Sequence, residues 1–162
     1  MEHLGLEEAI NLLKRTLKTS KLNTIREYID CISDRKSIIA ILILSNTENI
    51  QSEIYPALKK VLTTSSNINE LINSSYLIGR LQLFDTEIIE KLISLSQSKD
   101  YEVRHNMIFA LQNSPIEIFR NTLENMLNDP DPLIRKMASA GLGNIGNKRS
   151  LGKLENALLI EK

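Results

Sequence analysis

The chain has 162 residues, a formal net charge of zero and 25% charged residues. That length holds one domain with a real core, and the charge balance excludes dominant non-specific attraction to nucleic acid or anionic membrane. A single cysteine, Cys31, excludes an internal disulfide and any cysteine-pair metal site. With no signal peptide and no long apolar span, the expected setting is the reducing cytoplasm. The longest apolar run, residues 38–44, is far short of the roughly 20 residues a membrane helix needs. The wealth of Ile, Asn, Ser and Lys is what an AT-rich coding sequence gives, which points to a bacterial or viral source.

Apolar residues recur at i, i+3 and i+4 in runs separated by short polar breaks, so helices are expected throughout. The opening helices fall at residues 6–17 and 22–32, the second carrying Cys31, expected as a buried small apolar residue. In residues 54–62, Pro56 either starts the helix or kinks it. Residues 87–95 place Ile88, Ile89, Leu92 and Ile93 on one face. Residues 116–127 do the same with Ile116, Phe119, Leu123 and Met126 or Leu127. Pro115 and Pro132 sit where helix starts are expected, because the first N–H groups of a helix have no partner to lose. Asp131 is placed to accept such orphan N–H groups as an N-cap. A closing helix spans residues 151–159. The last segment is mildly basic, and the one before it is mildly acidic.

Part of this pattern occurs twice, thirty-one residues apart. Asp100 precedes Arg104 as Asp131 precedes Arg135, with Val103 and Ile134 just before each arginine. Met107, Ala110 and Leu111 then correspond to Ala138, Gly141 and Leu142. A step back of thirty-three residues from Asp100 reaches Asn67, followed by Ser74, Leu77, Ile78, Gly79 and Leu81; a similar step reaches Asp34, where only apolar character survives. A period of this length with helical spacing signals a stacked α-solenoid. One domain over 1–162 is expected, with a degenerate N-terminal repeat over 1–66, clearer repeats over 67–146 and a closing segment over 147–162.

The Asp-Pro turn, the aliphatic-Arg pair and the following Ala, Leu-Gly and Ile-Gly of residues 129–147 resemble the HEAT family, in particular the HEAT-like repeats of phycobilisome lyases. The resemblance implies an all-α, right-handed solenoid of four to five stacked helical hairpins. It also implies that Asp100, Arg104, Asp131 and Arg135 form an interlocking ladder between neighbouring repeats. A charged pair four apart on a helix is ordinarily structural or solvated, so no ligand role is read into these four.

No catalytic motif is visible. Gly141, Gly143 and Gly146 imitate a phosphate loop but end a helix, so close helix packing and a helix stop account for them. His3 and His105 lack an orienting partner at any recognisable spacing. The carboxylates show no metal spacing, and no cofactor is expected. A nucleic-acid enzyme like the HEAT-like DNA glycosylases is disfavoured by the absence of tryptophan, 4% aromatics and zero net charge.

At about 100° per residue, positions one, five and nine beyond the arginine fall opposite the core arc. They give a candidate partner-binding stripe of Ile72, Tyr76, Arg80, His105, Phe109, Asn113, Lys136 and Asn144. In HEAT-like solenoids the second helix of each repeat lines the concave side, which is where the stripe would lie. The competing assignment is that Tyr76 and Phe109 fill gaps between repeats. The function expected is non-enzymatic: a monomeric adaptor, inhibitor or immunity/antitoxin-like protein that grips another protein there, without specific nucleic-acid or membrane binding. The alternative is a bilin lyase-like enzyme subunit or a phycobilisome assembly or degradation factor, which needs a bound tetrapyrrole or a second subunit. The first expectation is measurable directly: purified protein carries no stoichiometric metal and no absorption beyond the ultraviolet band. A metal signal or visible chromophore contradicts it.

Overall fold

The structure is a computed structural model and describes residues 51–160 apart from 113 and 115. The expected helices at 6–17 and 22–32, the degenerate repeat before residue 51, Cys31, His3, Asn113 and Pro115 lie outside the described residues. The described part is all-helical, with no strand: α1 (Gln51–Thr64), α2 (Ile68–Leu81), α3 (Thr86–Ser96), α4 (Tyr101–Leu111), α5 (Glu117–Met126), α6 (Pro132–Ile145) and α7 (Lys148–Ile160). None is long and apolar enough to cross a membrane. The chain divides into two compact units, one ending at Leu83 and one beginning at Phe84.

In the first unit α1 packs on α2. Pro56 lies inside α1 rather than at its start. Its ring is exposed, so the missing N–H is lost on the wet side, where water can satisfy the orphaned carbonyl. Ile54, Leu58 and Leu62 of α1 and Leu77 and Ile78 of α2 are buried. Ser74 and Ser75 are fully buried in this region. Their hydroxyls donate to the Glu70 and Leu71 carbonyls at 2.7 and 2.6 Å, so neither hydroxyl is stranded. Gln82, in the left-handed conformation at φ 56°, ends α2.

In the second unit α3 packs on α4 and α5 on α6, and the two hairpins stack first helix on first and second on second. The repeat register accounts for this. On α4 the residues Val103, Met107, Ala110 and Leu111 are buried, as are Ile134, Ala138, Gly141 and Leu142 on α6. Ile88 and Leu92 of α3 and Phe119 and Leu123 of α5 complete the core, with Phe84 meeting Phe119 edge-on at 5.0 Å. Each such side chain contributes about 1.5–3 kcal/mol when fully buried. Gly141 lets α6 close on its neighbours: a Cβ there would lie 3.1 Å from Leu123 Cδ1 and 3.3 Å from Gln112 Cβ. Gly143 has open space instead, so packing does not explain it. Gly146 caps α6 at φ −67°, and a Cβ there would collide with the Leu142 carbonyl.

Leu142→Asp places a carboxylate in this core and costs on the order of several kcal/mol, comparable to total stability. Gly143→Ala instead raises stability by about 0.5–1 kcal/mol, because it restrains the unfolded chain without a clash. Urea denaturation checks both. A Leu142→Asp protein as stable as the parent contradicts the register.

Candidate functional site

The second helix of each hairpin starts from the same polar turn. Asn67, Asp100 and Asp131 are the N-caps of α2, α4 and α6. Each side-chain oxygen accepts two N–H groups of the first turn: Asn69 and Glu70, Glu102 and Val103, Leu133 and Ile134. Two residues earlier, Ser65, Ser98 and Asp129 accept the N–H of the cap residue itself at 3.0, 3.1 and 2.9 Å. Both cap interactions satisfy backbone donors that a helix start otherwise leaves open.

Arginines lock this turn. Arg104 Nη1 donates to the Ser98 and Lys99 carbonyls at 2.9 and 3.2 Å, and Arg135 Nη1 to the Asp129 and Pro130 carbonyls at the same distances. Arg104 also reaches the next hairpin. Its Nε and Nη2 donate to Asp129 Oδ2 and Oδ1 at 2.8 and 3.1 Å, a two-pronged pair. The Asp129 hydrogen bond, opposed by burial and helped by the charges of Asp129, Asp131 and Asp100, raises the Arg104 pKa further. Asp129 therefore carries the contact between hairpins while Asp100 and Asp131 cap their own helices. Sequence reading did not mark Asp129 for this part. Its position two before a cap, where the preceding repeats have serine, was the available signal.

The stripe residues separate by unit. Ile72 and Tyr76 are half-buried and Arg80 exposed on α2 of the first unit. On α4 of the second unit His105 and Phe109 are half-buried, and on α6 Lys136 and Asn144 are exposed. The outer side of α4 is more aromatic than the stripe foresaw. Tyr101 stacks on His105 with ring centroids 5.8 Å apart, and His105 meets Phe109 edge-on at 5.5 Å. Tyr101, 37% exposed, was missed although its i, i+4, i+8 spacing with the other two was readable.

A second polar feature fixes α7. Glu124 of α5 is fully buried, and its Oε1 accepts the Ser150 hydroxyl at 2.8 Å while Lys153 Nζ stands 2.7 Å from Oε2. Burial is the largest influence on this carboxyl and pushes its pKa up. Lys153 and Ser150, with the Lys153 and Arg149 charges, outweigh it and hold the group below its ordinary value. Asn147 caps α7 by accepting the Arg149 and Ser150 N–H groups.

A depressed folded pKa makes the Glu124 carboxylate stabilising above the ordinary carboxylate range, and this contribution is lost as pH falls through the folded value. Thermal melts taken from neutral pH down to about pH 3 therefore show a steeper acid loss for the parent than for Glu124→Gln. Equal slopes contradict the assignment.

Residues 89–161, just under half of the chain, match the family model described as HEAT repeats. No curated protein matches the chain significantly. The matched stretch runs from α3 into α7, over the stacked hairpins and the duplicated arginine-locked turn. The likeness to HEAT repeats is thus carried by residues 89–161 of the second unit.

Proposed function

We propose that this chain is a non-enzymatic protein-binding module whose contact surface is the outer side of the second helices. The observation that carries this reading is α4. Its inner side is spent on the core by Val103, Met107, Ala110 and Leu111, yet its outer side holds a second apolar row of Tyr101, His105 and Phe109. A surface helix of a globular domain ordinarily has one apolar stripe and a polar back. Rings that stack along a helix are also pre-ordered, which lowers the entropy cost of using them as anchors. Aromatic residues in such positions commonly dominate protein interfaces.

By repeat register, Lys136 and Asn144 extend this surface on α6, and Ile72, Tyr76 and Arg80 are its counterpart on α2. HEAT repeats generally mediate contacts between proteins, which agrees with the reading. A small adaptor, inhibitor or immunity-type protein, working as a cytoplasmic monomer, is the form it takes.

The test is affinity capture from the native cell with parent and with Tyr101→Ala/Phe109→Ala protein, followed by mass spectrometry and circular dichroism melting. The double variant keeps its helical melt and loses the captured partner, with affinity falling by about 30-fold or more, the equivalent of roughly 2 kcal/mol. Unfolding of the variant assigns the rings to packing between repeats. Normal binding by a folded variant places the contact surface elsewhere.

A further inference from the structure

α7 is tied to α5 by polar contacts: Ser150 and Lys153, from its first half, hold Glu124. A groove of ≈790 Å³ opens between α6 and α7. From α6 it is lined by Pro132, Leu133, Lys136 and Ser139, spaced as one helix face, and from α7 by Leu154 and Ala157. Leu133 is 43% exposed, a large aliphatic side chain left wet at the mouth of an apolar floor. Arg135 adds a second cation to the wall, and no carboxylate is among the described lining residues. Of the two acids adjacent in sequence to lining residues, Asp131 is turned onto the Leu133 and Ile134 N–H groups, and Glu155 is exposed on α7 without being among the described lining residues.

We propose that the groove between α6 and α7 docks an amphipathic helix of a partner protein, its leucine-type edge on Leu133, Leu154 and Ala157 and its acidic flank beside Lys136. An apolar trough between two helices, lined at turn spacing, accepts the ridge of a third helix. Apolar burial alone would not choose between partners. The cations of the described wall, Lys136 and Arg135, do, because a basic flank would set like charges together, whereas an acidic one gains an attractive contact and a faster encounter. Repeat register puts Pro132 and Lys136 of α6 in the places that Tyr101 and His105 hold on α4. The inference therefore rests on the protein-binding reading above and adds the chemistry of the partner at the α6 end of that surface.

The probes are two synthetic helical peptides of about 15 residues with the same leucines at i, i+3 and i+7, one flanked by glutamates and one by lysines. Fluorescence anisotropy with the full chain is expected to show the glutamate peptide binding about tenfold or more tightly than the lysine peptide, with the gap closing as salt rises. Leu133→Asp, at an exposed position, should abolish binding of the glutamate peptide without changing the melt. Lys136→Glu should narrow or reverse the preference. Equal affinity for the two peptides, binding of neither, or full binding by folded Leu133→Asp overturns the proposal. A dimer of the parent chain that Leu133→Asp dissolves assigns the groove to a second copy and also overturns it. Tyr101→Ala/Phe109→Ala protein should still bind the glutamate peptide, so a failed aromatic surface and a failed groove give different results.

Discussion

The structure depends on one constraint: the chain must reverse between the two helices of a hairpin without leaving the first N–H groups of the second helix unpaired. Three hairpins meet it in the same way. A side chain at Ser65, Ser98 or Asp129 takes the N–H of the cap, and the cap at Asn67, Asp100 or Asp131 takes those of the first turn. Each cap contributes about 1 kcal/mol, but its larger effect is geometric. It fixes where the second helix begins, and the apolar residues at fixed steps beyond it, such as Met107 and Leu111 or Ala138 and Leu142, then fall on the buried side. In α4 and α6 the arginine at the fourth position ties the turn's carbonyls down as well.

Once the inner side of a helix is set by this register, its outer side is available for other work. On α4 that side is aromatic. On α6 it is cationic and small, with a groove where α7 departs from it. The same device thus presents different chemistry in successive repeats without altering the core. Glu124 is the counterpart at the end of the second unit. A buried carboxylate is expensive unless paired, and its pairing with Ser150 and Lys153 ties α7 to α5 by a polar contact.

The periodic part of this arrangement was legible in the sequence. Leu142, Met107 and Phe119 repeat at helical spacing, and stepping back from Asp100 by the repeat length led to Asn67, which is the N-cap of α2. The contacts between repeats were not legible. Arg104 and Asp129 are 25 residues apart and Ser150 and Glu124 are 26 apart, so no local spacing announces either pair. Glu124 reads in sequence as one more solvated helix glutamate. Gly143 shows the opposite error, since a glycine near a helix end suggested close packing and the structure leaves open space beside it. Tyr101 stands three residues before Arg104, outside the positions one, five and nine beyond the arginine that define the stripe.

The claim on which the rest stands is that Arg104 and Asp129 join successive hairpins as a specific pair. A double-mutant cycle in urea tests it most directly. Arg104→Ala removes the cation, and Asp129→Ser removes the carboxylate while keeping a turn acceptor of the kind Ser65 and Ser98 provide. A coupling energy of about 1 kcal/mol or more is the result expected of a half-buried, two-pronged pair. Additive effects of the two substitutions, with coupling near zero, would contradict the account, because each residue would then serve only its own turn.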